Sequence, residues 1–358
     1  MMNTYIPKIA EKIVFILLLL VTSIVYSQEF KYKEVPKSII DKYYSHIEYK
    51  AKNEDVYALK YLPKKVKKDG SVDYTKYLQK AIDENQRVII PNFSIAINKD
   101  GLTIPSNRTI IFQRNSVILY KGIAKGKLDD IIKIYNVKNV KLINPKVIGN
   151  KKDKSQKGEW NAGISILNSE NINIDNALIK DTWGDGIFIG SEDNGVSKNI
   201  NLNKIWIDNV RRNAISITSL IKGNINNVLL SNTNGTLPEC GVDIEPSLFG
   251  EFIQDVKFNN LYSYNNKNAA FNVNLTMFNS DIKQYKDEVS ITVKNIFDEY
   301  SKGYIGLNLN NFNKKFTPYG VINIESGNTT NPKHNITLDT SKVKTNIKIK
   351  NEGLKKKN

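Results

Sequence analysis

The sequence predicts an all-β fold: a parallel β-helix in which each turn of the chain is one coil of a solenoid, with a helix capping its N-terminal end. Three observations predict it. Four segments fall into one register, Gly163-Ile164-Ser165-Ile166, Gly186-Ile187-Phe188-Ile189, Ala214-Ile215-Ser216-Ile217 and Gly241-Val242-Asp243-Ile244, with starts 23, 28 and 27 residues apart. A period in the twenties with one β-branched, alternating strand per repeat is the pattern of stacked coils. A second kind of strand follows a turn rich in asparagine in each coil, beginning at Asn139, Asn171, Asn199, Asn224 and, with aspartate, at Asp255. Asparagine tolerates the left-handed backbone of a sharp corner, so these residues read as structural. Finally, Asp73 can cap a helix running to Glu84, with Tyr74, Tyr77, Leu78, Ala81 and Ile82 on one apolar stripe that suits the open end of a core.

The elements follow in order. Lys8 and Lys12 precede the apolar run Ile13 to Val25, and Val25-Tyr26-Ser27 offers a cleavage point before Gln28. That run is shorter than the roughly 20 residues a spanning helix needs, so residues 1–27 are expected to be a secretory signal peptide, leaving a secreted or periplasmic protein with no membrane span. Residues 28–70, charged and rich in Tyr and Lys, read as a linker or extension with one short helix. The β-helix is expected over 71–348, about ten coils at this repeat length. It opens with strands at Arg87–Ile90, Ser94–Ile97, Thr109–Phe112 and Ser116–Leu119. Beyond about Asn279 the repeat loosens, although the stretches from Val289 and from Tyr319 still read as strands. Residues 349–358 form a basic tail.

Composition narrows the function. Hydrophobic residues at 40% and charged residues at 25% fit a globular chain. The net charge of +16 points to a polyanionic partner. With no nucleic-acid motif present and export expected, that partner reads as an acidic polysaccharide. The single cysteine, Cys240, excludes intrachain disulfides and reads as a packing residue. The two histidines, His46 and His334, lie outside the central coils, which argues against a histidine metal cluster or a Ser-His-Asp triad; no metal site is expected.

In the aligned strands the isoleucines and Val242 must point inward. Alternation sends Ser165, Phe188, Ser216 and Asp243 outward, with Leu167, Gly190, Thr218 and Glu245 as a second outward ladder. Asp243 and Glu245 then share an exposed face about 6.6 Å apart, where mutual repulsion splits two carboxyls into an acid and a base. The entry corners of the neighbouring coils carry Glu159 and Trp160, then Trp183 and Asp185, then Arg211, Arg212 and Asn213. Tryptophans offer flat platforms to sugar rings, arginines grip carboxylates or sulfates, and acids move protons. Asp185 and Asp243 stand two coils apart, about 9.6 Å between backbones, and side-chain reach brings them within the roughly 5–9.5 Å that glycosidases use.

The stretch Thr75 to Ile82, with Val88-Ile89-Ile90-Pro91 and Leu102 to Asn107, resembles the entry of the pectate-lyase superfamily. The resemblance spans roughly residues 70 to 345 and implies a right-handed parallel β-helix, a fold that often cuts polysaccharides. Gly184-Asp185-Gly186-Ile187 and Arg212-Asn213-Ala214-Ile215-Ser216-Ile217 resemble the Gly-Asp-Asp-Cys and Gly-His-Gly-Ile-Ser-Ile segments of polygalacturonases. Asp185 is the residue that carries over. Trp160-Asn161-Ala162 stands where that family has Asn-Thr-Asp, Gly186 at the second acid, and Asn213 at or near the histidine.

The leading expectation is an exported glycoside hydrolase acting on an acidic glycan without a cofactor. Asp243 or Glu245 would be the general acid and Asp185 or the remaining carboxylate the base, while Glu159, Trp160, Trp183, Arg211, Arg212 and Asn213 would bind substrate. A polysaccharide lyase is the alternative. There Arg211, Arg212 or a lysine would take the proton α to a uronate carboxylate, and Ca²⁺ held by Asp and Glu would neutralise that group. A non-catalytic glycan-binding β-helix is the third reading, since fold does not fix function.

Overall fold

Parallel pairing in a single register organises the chain. The computed structural model describes residues 30–193, 195–248, 250–278, 288–309 and 318–330, and the backbone of 336–339 and 346–351. The expected signal peptide, His334 and residues 352–358 of the basic tail lie outside the described residues. Residues 33–358 form one compact unit.

The fold is a right-handed parallel β-solenoid of about eight turns. One wall is a sheet of nine strands in series, including Ile132–Tyr135, Ile164–Leu167, Ile187–Gly190, Ile215–Ile217, Val242–Ile244 and Ala269–Asn274. Ile164 pairs with Ile187, Ile187 with Ile215, Ile215 with Val242 and Val242 with Phe271, all in parallel. The expected register therefore holds. Ile164, Ile187, Ile215 and Val242 are fully buried in one continuous core. The coils number about eight rather than ten because those flanking the four aligned segments are longer. Asp130 meets Ala162 of the next coil across 32 residues, and Asn266 meets Ser301 across 35.

A second, seventeen-stranded sheet forms the remaining walls. Its twelve-residue strands Ser197–Asp208, Leu220–Ser231 and Ile253–Tyr264 turn their corners at Lys204, Asn227 and Asn260, each at positive φ. Asparagine dominates these corners for the reason expected, and it also links them. The side chains of Asn107, Asn139, Asn171 and Asn199, all at positive φ, bond one to the next at 2.7–3.1 Å.

Helix α1 (Lys37–Tyr43) lies in the 28–70 segment read as a linker or extension with one short helix, and it packs on the wall. Val35 and Tyr43 pack on Leu229 and Tyr264, and Ile39 and Ile40 on the same cluster. The corner side chain of Asn232 accepts the Lys33 N–H and donates to its carbonyl, and Asn144 holds Ile47 in the same way. Helix α2 (Thr75–Glu84) starts where Asp73 accepts the Thr75 N–H at 2.8 Å. Its Leu78, Ala81 and Ile82 join the solenoid core with Tyr74, while Tyr77 packs at the edge. Among the described residues no helix is long and apolar enough to cross a membrane.

The register carries a stability prediction. Ile215→Ala leaves a cavity between two coils and should cost about 2–5 kcal/mol in denaturant unfolding. Trp160→Ala, at a residue 42% exposed, should cost within about 0.5 kcal/mol. A small loss for the first substitution would contradict the assignment of this face to the core.

Candidate active-site cleft

The site grows from one corner position, two residues before the first inward residue of each strand. Reading along the sheet, that position holds Asp130, Ala162, Asp185, Asn213 and Cys240. At a corner the regular ladder has not yet begun, so the next coil's N–H needs another acceptor. Asp130 Oδ1 takes the Ala162 N–H at 2.6 Å. Asp185 Oδ1 takes that of Asn213 at 2.9 Å, and Asn213 Oδ1 takes that of Cys240 at 2.9 Å.

Over this corner lies a cleft of about 210 Å³. Its apolar lining includes Leu128, Trp160, Phe188 and Leu248; its charged lining is Asp130, Glu159, Asp185, Glu192 and Glu251 against Lys127 and Arg212. The cleft is thus acidic although the chain carries +16. Arg212 is the hub. Its Nη1 lies 3.6 Å from Asp185 Oδ2 and its Nη2 3.4 Å from Glu159 Oε2, so one guanidinium bridges the two carboxylates. Burial pushes the Asp185 carboxyl up despite that cation.

Behind Asp185 the network continues inward. The Asn213 amide donates to Ser216 Oγ at 3.0 Å and to Asp243 Oδ2 at 3.2 Å, and Asn272 donates to Asp243 Oδ1 at 2.8 Å. Burial, then repulsion from Glu245, raises the Asp243 carboxyl to about 7. Glu245 is half-buried, raised by burial, and held by Asn274 at 2.7 Å. Glu159, Asp185, Asp243 and Glu245 together keep Arg212 firmly charged against its own burial.

The expected site residues therefore divide. Glu159, Trp160, Asp185 and Arg212 line the cleft, and Asn213 lies fully buried beneath it, linking Asp185 to Asp243. Three expectations need correction. Asp243 does point away from the core but is only 2% exposed, because the amides of Asn213 and Asn272 close over it; it does not share an exposed face with Glu245. Trp183 is no sugar platform. It is 8% exposed, its Nε1 donates to the Gly158 carbonyl at 3.0 Å, and the Arg211 guanidinium covers its ring at 3.9 Å. Arg211 is itself committed, with Nη1 donating to the Gly158 and Trp183 carbonyls.

Sequence reasoning missed Asp130, Tyr135 and Glu251. Asp130 is buried, raised by that burial, and accepts the Tyr135 hydroxyl on Oδ2 at 2.6 Å. Extending the aligned register back by one coil, to Ile132, would have found it. Glu251, also raised by burial, accepts the Leu248 N–H at 2.7 Å and that of Ser247, fixing the loop that borders the cleft. Only its distant place in a loop between repeats hid it.

No protein-family model matches the chain. An uncharacterized protein of Bacillus subtilis, YclG, is 34% identical over 96 residues, 24% of this chain and 16% of that protein's length. Among solved structures the chain is similar to PfbA, a surface adhesin of Streptococcus pneumoniae, with a TM-score of 0.58, 15% identity and 82% of this chain and 77% of that one covered. The N-terminal fragment of bacteriophage phi29 gene product 12 gives 0.54 and 15%, over 78% and 53%. Tailspike gp49 of the Acinetobacter baumannii bacteriophage Fri1, a capsular polysaccharide depolymerase, gives 0.50 and 11%, over 85% and 64%. The chain spans about half the length of the phi29 fragment. At these identities the likeness is one of fold, a right-handed β-solenoid, and the resemblance to the pectate-lyase superfamily extends to that architecture.

The raised Asp243 sets a pH dependence. The folded state holds its proton to about pH 7, while an unfolded aspartate releases it near 4. Between those values the folded state binds more protons, so stability present at low pH is lost as pH rises from about 4 through about 7. Melting temperature followed against pH should fall across that window. Asp243→Asn should flatten the fall, leaving the part due to Asp130, Asp185, Glu245, Glu251 and Asp298; an unchanged slope would contradict the assignment.

Proposed function

We propose that the protein is a glycan-cleaving glycoside hydrolase, with Asp185 as the proton donor of the cleft. The observation that carries this reading is a buried carboxyl that faces a cleft beside an exposed tryptophan. Burial raises the Asp185, Asp243 and Glu245 carboxyls. A carboxyl raised by burial is the kind that protonates a glycosidic oxygen. Asp243 acts behind it. Shielded from solvent, it sets the field at Asp185 by its own charge state. Glu245 shares that field from the half-exposed edge. Asn213 is the connecting amide.

The size of the cleft, smaller than the roughly 300 Å³ at which drug-sized pockets begin, suits a single sugar unit with the rest of the glycan lying along the rim on Trp160. Its charge favours a neutral unit. Five acids against two bases repel an anionic sugar at short range, whatever the chain's net charge, which acts at a distance. The lyase alternative lacks a base among the arginines. Arg212 is held charged by four carboxylates, and Arg211 is spent on two carbonyls and the Trp183 ring.

The test incubates the protein with neutral glycans (xylan, pullulan, mixed-linkage glucan) and acidic ones (polygalacturonate, alginate), following reducing ends and ultraviolet absorbance together. Reducing ends from a neutral glycan, without an ultraviolet-absorbing product, are expected. Asp185→Asn should lower kcat by at least about 100-fold, and Trp160→Ala should raise KM while leaving kcat nearly intact. An unsaturated product would assign a lyase, and binding without cleavage would assign a glycan-binding surface.

A further inference from the structure

We propose that Asp130 is the second catalytic carboxyl of this cleft, the base that activates water opposite Asp185; the inference rests on the hydrolase reading above. Asp130 and Asp185 occupy the same register position two coils apart and both line the cleft. Each carboxyl fixes itself in the same way, by accepting the corner N–H of the coil that follows. Two coils separate their backbones by about 9.6 Å, next to the roughly 6.5–9.5 Å that leaves room for a water between two catalytic carboxyls.

The coil between them is built as a gap. Its corner residue is Ala162, whose methyl fills little of the space an acid would take. The same coil carries Ser165, which lines the cleft. Its Oγ is fully buried and makes no well-formed hydrogen bond, although it lies near enough to Asp130 to favour that carboxyl's charged form. From there the hydroxyl can turn to Asp130 or to a water or sugar hydroxyl in the cleft.

The two acids differ in what they can do. Both Asp130 oxygens accept hydrogen bonds, from Ala162 N–H and Tyr135 O–H, which leaves this carboxyl an acceptor, while burial makes it a stronger base. Asp185 Oδ2 lies 3.6 Å from Arg212 Nη1, longer than a hydrogen bond, and can present a proton. In the step, water oxygen bonds to the anomeric carbon and its proton passes to Asp130. The glycosidic C–O bond breaks with its electron pair on the leaving oxygen, which takes the Asp185 proton. Solvent then restores both carboxyls. Glu159, on the rim and 54% exposed at its side chain, is the competing partner, and variants at the two residues separate them.

The experiment uses the full chain and the glycan of the neutral or acidic panel that it cuts, reading the first-formed anomer by proton NMR. Inversion is expected. Asp130→Asn should lower kcat by at least about 100-fold with circular dichroism and melting temperature retained. Tyr135→Phe removes a donor that favours the charged Asp130, so the acidic limb of the kcat/KM profile should move to higher pH, which a merely structural tyrosine would not cause. If Asp130→Asn does not fold, the anomer and the Tyr135→Phe profile decide. Retention of configuration, with turnover lost in Glu159→Gln and kept in Asp130→Asn, would overturn the role of Asp130 and leave the hydrolase standing. Cleavage of no glycan by the wild-type chain would overturn both.

Discussion

In-register parallel stacking, one coil every ~4.8 Å, is the constraint on which the rest of this molecule depends. It forces every coil to repeat its inward residues, which is why Ile164, Ile187, Ile215 and Val242 form one buried row. It also forces every corner to hand its polar groups to the next coil. Where the corner is purely structural, asparagines pass a bond along the row, as from Asn107 to Asn199. On the flank, Asn144 and Asn232 instead hold the backbone of residues 33–47. At the cleft, aspartate takes over the same acceptor duty. Asp130 and Asp185 are therefore part of the scaffold as well as of the site, and their geometry is fixed by the fold rather than by a mobile loop.

That double duty sets the electrostatics. A carboxyl held at a corner is buried by the coils on either side, and burial raises it. Arg212 opposes this for Asp185 but must be shared with Glu159, Asp243 and Glu245. Asp243, 2% exposed, is raised to about 7. An outward-facing position in a solenoid is thus no guarantee of contact with solvent, since neighbouring side chains, here the amides of Asn213 and Asn272, close over it. The reading of Asp243 and Glu245 as an exposed pair failed on that point, because alternation along a strand reports direction and not cover.

Much of the architecture was nonetheless legible. Period-two alternation with isoleucine gave the register to the residue, and the asparagine corners and the α2 cap followed from turn chemistry and a helical stripe. The functional side was harder, because platforms and grips depend on what the tip of a side chain finds. Trp183 and Arg211 have the right composition for sugar binding but satisfy each other and the Gly158 carbonyl. Asp130 escaped notice for a different reason. Its coil is 32 residues from the next, outside the 23 to 28 of the aligned segments. The seven residues of α1 were too few to display a stripe, so its packing on Leu229 and Tyr264 was invisible until the wall existed.

Adhesin, phage protein and depolymerase share this solenoid, so function has to reside where the repeat is broken. The break at Ala162 has a physical logic. Aspartates on three consecutive coils would stand ~4.8 Å apart, and at that spacing buried carboxyls cannot all ionise; they would share protons and act as one coupled group. Replacing the middle one by alanine doubles the spacing. The two remaining acids can then hold different protonation states, one beside Arg212 and one beside Tyr135, with a space between them large enough for a reacting atom. A regular ladder would serve stability better, since a methyl at the corner cannot accept the next N–H. In the proposed mechanism, that methyl corner is what separates the acid from the base.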